Sequence, residues 1–103
     1  MNTGPAAATF QVAADTPGTL TLRGVLSFAT ATQALQTLQA ASATTAVTTL
    51  DLSGVTHGDS AGLSCLLAVM ADASARGRPL RLAHLPDGMQ TLAAVCGVDR
   101  LLS

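Results

Sequence analysis

A small α/β domain is the fold class this sequence predicts: a mixed sheet of four strands, or five, with helices packed mainly on one face. Three observations predict it. Short runs of alternating apolar and polar residues recur along the chain, as half-buried strands require. Stripes of Leu and Ala at spacings of three and four separate them, as amphipathic helices require. The chain has 103 residues with no repeat and no linker, so it reads as one domain over 1–103. A domain of this size hides roughly 60–70% of its unfolded surface, enough for one core but not for a large enclosed active site as well.

Residues 1–8 read as a flexible lead-in. Phe10 and Val12, then Leu20 and Leu22, alternate with smaller or polar residues and predict strands over 9–14 and 19–24. Asp15-Thr16-Pro17-Gly18 lies between them, and Pro before Gly is type II turn chemistry. Gly24 closes the second strand. Ala31, Ala34, Leu35, Leu38 and Ala41 predict a helix over 27–41, with Ser27 or Thr30 to cap it. The hydroxyl and β-branched residues that follow favour extension, and a third strand is predicted over 47–52, with Gly54 opening a loop.

Leu63, Leu66, Leu67 and Met70 form the strongest helical stripe in the chain. Asp59 or Ser60 supplies its N-cap, and the helix runs to Ala75, stopped by Arg76-Gly77-Arg78-Pro79. Leu80 to Ala83 predicts a short strand. Pro86-Asp87-Gly88 opens a last helix carrying Met89, Leu92, Ala93, Val95 and Cys96, which Gly97 ends. Val98, Leu101 and Leu102 form an apolar tail expected to seal one edge. The order is therefore ββαβαβα.

Composition narrows the function. Hydrophobic residues make up 49% and charged residues 11%, with a formal net charge of −1, and every charge is Arg or Asp. No basic stripe exists to follow phosphates, and two Phe without Tyr or Trp offer no stacking platform, so a nucleic-acid partner is not expected. A surface with so few charges points to an apolar patch that a partner covers. The first residues lack the basic and apolar regions of a signal peptide. The apolar stretch from Ala61 to Ala73 is interrupted by Ser64, Cys65 and Asp72, short of the roughly 20 residues of a span. Cys65 and Cys96 read as small hydrophobes on helical faces, kept reduced, and the expected location is the cytoplasm.

Thr56 to Leu67, THGDSAGLSCLL, contains GDSAG and so fits the G-x-S-x-G pattern of a nucleophile elbow. Ser60, Asp72 and His84 even follow the chain order of a hydrolase triad. Against catalysis, Leu52 to Ser60 reads as a loop too long for a tight elbow. Asp72 also lies about 18 Å from Ser60 along the helix axis, beyond hydrogen-bond reach. No enzyme activity is expected. His57, Cys65, His84 and Cys96 lack metal-ligand spacing, so neither metal nor cofactor is expected. No Gly-rich Walker loop is present to hold a nucleotide. What remains is a hydroxyl at a helix start, near free N–H groups and the positive end of the dipole. It can be a cap, a phosphate acceptor or a docking group.

The segment LDLSGVTHGDSAGLSCLL resembles the signature of STAS domains: a strand with an acid, a loop, then Asp-Ser/Thr-small-Gly-Leu opening a helix. Asp51, Asp59, Ser60, Gly62 and Leu63 match it. TLTLRGVLSFAT and RPLRLAHLPDGMQTLAAVCGVDRLL resemble the family's earlier and later segments, so the resemblance runs from about Thr9 to Leu102. It implies a STAS fold and a non-catalytic binding module. The chain looks most like the small STAS subunits (MlaB-like) of the Mla phospholipid transport system, which maintains outer-membrane lipid asymmetry. That likeness implies a partner, the ATPase subunit (MlaF-like) of an ABC transporter complex, and peripheral association with the inner membrane through it. More distantly the chain resembles anti-sigma-factor antagonists, which implies an anti-sigma kinase as partner and Ser60 as phosphoacceptor. It departs from that branch where Gly24 is followed by Val25-Leu26-Ser27 instead of Glu-Leu-Asp. In either case the expected partner-binding residues are His57, Asp59, Ser60, Ala61, Gly62 and Leu63.

Overall fold

The structure is a computed structural model and describes residues 9–44 and 46–98. The flexible lead-in predicted for 1–8 and the tail residues Leu101 and Leu102 lie outside the described residues. The elements follow the predicted order: β1 (Phe10–Thr16), β2 (Thr19–Leu26), α1 (Ala31–Thr44), β3 (Thr49–Gly58), α2 (Ser60–Ala75), β4 (Arg81–Ala83) and α3 (Asp87–Val95). They build a four-stranded mixed sheet in the order β1-β2-β3-β4. β1 and β2 form an antiparallel hairpin that closes on the Thr16–Thr19 pair around Pro17-Gly18. β2–β3 and β3–β4 are parallel, as helical crossovers dictate.

Alternation along the strands decides which face is dry. Leu20, Leu22, Leu50 and Leu52 are all buried. Their neighbours Thr21 and Asp51 are half-buried, and Arg23 and Ser53 are exposed. The core therefore lies on one side of the sheet, where Leu38, Leu66 and Val69 join the strand leucines. Each such leucine or valine, fully buried, contributes about 1.5–3 kcal/mol of transfer free energy.

Two strands run further than the alternation predicts. β2 continues past Gly24 to Leu26, and β3 continues past Gly54 to Gly58. The extensions pair with each other, Val25 with His57 and Leu26 with Gly58, across register shifts near Arg23 and Gly24. Backbone pairing holds them although Ser53 to Gly58 shows no apolar–polar alternation. Only Val55 of that stretch is buried. At the other helix the boundary moves the opposite way. α1 begins at Ala31 instead of Ser27, because residues 27–30 form a separate turn.

α2 ends as predicted. Gly77 has φ +75° and its N–H reaches the Ser74 carbonyl, while Arg78 N–H reaches Ala73, the paired bonds of a Schellman stop. α3 seats Met89 against Gly58 at the end of β3, which ties this helix to the start of α2.

Candidate functional site

The extension of β3 reshapes the segment that carries GDSAG. One residue, Asp59, separates the strand ending at Gly58 from the helix starting at Ser60. The loop predicted over Leu52 to Ser60 does not exist, so its length is no argument against a tight turn. What argues against a triad is where the other members are engaged. Asp72 pairs with Arg76 at 3.0 Å, one turn along its own helix, and His84 Nδ1 lies 3.0 Å from Asp51.

Asp59 is the N-cap of α2, in extended backbone at φ −130°. Its Oδ1 accepts the Gly62 N–H at 3.0 Å, the bond an N-cap carboxylate is expected to make. Its Oδ2 accepts the N–H of Phe28 at 3.1 Å, from a residue 31 positions earlier. Its own N–H bonds to the Leu26 carbonyl at 3.3 Å. Hydrogen bonds, first from Gly62 N–H and then from Phe28 and Ala61, hold this carboxyl below its ordinary value. The nearby His57 acts in the same direction, more weakly.

Phe28 sits in a turn closed by its neighbours. Thr30 Oγ1 donates to the Val25 carbonyl at 2.8 Å and accepts the Ser27 N–H at 3.0 Å. Both Ser27 and Thr30 are buried. Thr30 thus spends its hydroxyl on the turn before α1, in the local side-chain bonding that competes with helix. Phe28 itself is 84% exposed.

The six predicted binding residues separate into two groups. His57 and Ser60 are exposed, and Asp59 and Ala61 are half-buried. Gly62 and Leu63 are buried, Leu63 at 3% exposure. Leu63 is a core residue. Gly62 lies close against the chain's own backbone, since a methyl built on it would collide with the Leu26 carbonyl oxygen. The missing side chain lets α2 lie directly on the end of β2. Asp59 is also turned inward in effect, with both carboxylate oxygens engaged by this chain's own amides. Phe28 escaped the sequence reading because it stands between two capping residues and off the helical stripe. The sparse surface charge was the only hint of an exposed apolar group.

Cys65 is buried and Cys96 is exposed at the C-cap of α3, so only the first lies in an apolar setting. Among the described residues no three His, Cys, Asp or Glu side chains are grouped to hold a metal. Among the same residues no helix is long and apolar enough to cross a membrane.

The model of one family, described as "Mlab, STAS domain", matches residues 9–103. No match was found among the curated proteins. Among solved structures, the chain is similar to the anti-sigma factor antagonist SpoIIAA in its unphosphorylated form, with a TM-score of 0.62 and 24% identity over 82% of this chain and 80% of that one. It is also similar to the Bacillus cell fate determinant SpoIIAA in the phosphorylated form, with a TM-score of 0.66 and 22% identity over 92% of this chain and 89% of that one. Those likenesses carry the fold, and the family match carries the assignment: this chain belongs to the STAS domain family.

Proposed function

We propose that this chain is a non-catalytic, cytoplasmic STAS subunit that binds and supports the ATPase of an ABC-type phospholipid transporter of the Mla kind. It would sit at the inner membrane through that partner. The observation that carries the reading is Ser60, exposed at the first position of α2 on a strand–helix turn that Asp59 ties at both oxygens. An exposed hydroxyl carried on tied backbone beside helix N–H groups offers a partner a polar contact. The family description, which names Mlab, supports the choice of partner. A subunit that binds only the assembled ATPase stabilises that state by mass action, without handling ATP or lipid itself.

Pull-down and titration with the purified ATPase subunit test this. Losing one buried interfacial hydrogen bond costs about 1–3 kcal/mol, so Ser60→Ala weakens the complex modestly and Ser60→Arg abolishes it. Wild-type affinity in both variants means the docking face lies elsewhere.

The exposed Ser60 hydroxyl also supports a second reading, an anti-sigma-factor antagonist switched by phosphorylation at Ser60. Incubation with an anti-sigma kinase and ATP separates the two. Phosphate on Ser60 followed by release of the kinase favours the switch.

A further inference from the structure

We propose that Phe28 is the apolar anchor of this docking face, and that its occupant is a folded protein presenting an apolar pocket flanked by uncharged hydrogen-bonding groups. The inference rests on the docking role proposed above for the Ser60 end of α2. It assigns the residue that supplies most of the binding energy there.

A lone exposed hydrophobic side chain is ordinary. Three features set Phe28 apart. It is an aromatic ring at 84% exposure, and Val95 is the only other large hydrophobic so exposed among the described residues. Aromatic rings dominate interface energetics because they bury much area while freezing few torsions.

The ring is also carried on fixed backbone. Thr30 and Ser27 close the turn from beneath, and the Phe28 N–H is held by Asp59. An exposed hydrophobic group on a loose loop loses much of its contact energy to ordering. One on a pre-tied turn keeps it. Because Asp59 caps α2 and holds Phe28 with the same carboxylate, the ring and Ser60 are presented by one hydrogen-bonded unit.

The third feature is charge. The two segments that meet here, 24–30 and 56–63, contain Asp59 and His57 as their only ionisable side chains. The Asp59 carboxylate is already engaged within the chain. Neither segment contains an Arg, and the chain has no Lys. Anionic lipid attracts Lys and Arg side chains, and neither segment offers one. The complementary surface is therefore apolar and uncharged, which fits a protein pocket.

The test measures affinity of the purified full chain for the ATPase subunit, with Phe28→Ala, Phe28→Leu and Ser60→Arg beside wild type. Truncating an interface anchor costs about thirtyfold or more in affinity, and Phe28→Ala is expected to lose that much. Phe28→Leu retains most of the binding. Both variants keep the wild-type melting temperature, because the ring is in solvent. Raising NaCl from about 50 to about 500 mM changes wild-type affinity less than about threefold, since neither segment of this face carries an Arg or Lys whose pairing salt would screen. Wild-type affinity in Phe28→Ala with binding lost in Ser60→Arg overturns the anchor and leaves the docking face standing. A wild-type chain that ignores the ATPase, or a Ser60→Arg variant that binds it normally, overturns both. Two further results also overturn the proposal: Phe28-dependent sedimentation with phosphatidylglycerol vesicles, or a Phe28-dependent dimer in analytical ultracentrifugation.

Discussion

The Asp59 carboxylate accepts the backbone N–H of Phe28 at 3.1 Å while its other oxygen caps α2 through Gly62 at 3.0 Å. One side chain thus joins the turn after β2 to the helix after β3, the two pieces of backbone that carry the candidate site. Asp59→Ala removes the cap and the tie together. An N-cap loss costs about 1–2 kcal/mol. In a domain this size each kcal/mol lowers the melting temperature by about 4–8 °C. The measurement is a thermal melt, with the Phe28 amide followed by NMR. A large shift of that amide in Asp59→Ala is expected, and an unmoved one would contradict the tie.

The same carboxylate predicts an acid limb. Its folded pKa lies below the ordinary 3.8, chiefly through the Gly62 N–H. Its stabilisation is therefore complete above that ordinary value and is lost as pH falls through the lowered folded value. Urea midpoints measured between neutral pH and about pH 3 should fall less steeply in Asp59→Asn than in wild type. Parallel curves would mean other carboxylates, such as Asp51, set the acid limb.

Gly62→Ala is expected to destabilise despite the better helix propensity of Ala. That propensity returns about 1 kcal/mol. The added methyl meets the Leu26 carbonyl, a backbone atom that cannot swing aside. Overpacking against fixed backbone costs about 1–3 kcal/mol or more, so the balance is a net loss, read as a lowered urea midpoint. A midpoint equal to or above wild type would show that α2 can lift off β2 freely.

How much of this could be read from residues follows from where each signal originates. The α2 stripe and its cap are local, set within four or five residues; the stripe was legible, and the cap was narrowed to Asp59 or Ser60, of which the structure uses Asp59. So was the stop at Gly77. The length of β3 was not, because Ser53 to Gly58 is held by pairing with β2 and only Val55 in it is buried. Gly62 shows a subtler limit. A small residue at a helix start says that something comes close, but not from which side, and here the close neighbour is the chain's own Leu26 carbonyl. Phe28 is the converse case. GVLSFAT reads as the approach to a helix, whereas in the structure the Thr30 and Asp59 hydrogen bonds hold a separate turn there and the Phe28 ring stands in solvent.

His84 offers a separable test of strain. It has φ +59°, the only positive φ outside glycine among the described residues, and its side chain is 69% exposed. Its Nδ1 lies 3.0 Å from Asp51, whose carboxyl is held below its ordinary value first by the Ser53 N–H and then by His84. His84→Gly and His84→Ala both delete that pair. They differ in that Gly accepts left-handed backbone freely and Ala does not, a difference of about 1 kcal/mol or more. The Gly variant should therefore unfold at the higher urea concentration. Equal midpoints would mean that β4 and its turn relax without cost.

The two cysteines should differ sharply in reactivity. Burial pushes the Cys65 thiol up to about 11, so almost none of it is thiolate at neutral pH, and thiolate is the reacting form. Cys96 is exposed beyond the end of α3. Titration with Ellman's reagent in native buffer should modify one thiol per chain quickly and the second only in denaturant. Cys96→Ser should remove the fast phase and leave the slow one. Since Cys65 is packed among the leucines of the core, its native reaction rate reports how often α2 opens away from the sheet. Asp59→Ala, which unties the first turn of that helix, should raise the slow rate before any global unfolding is detected.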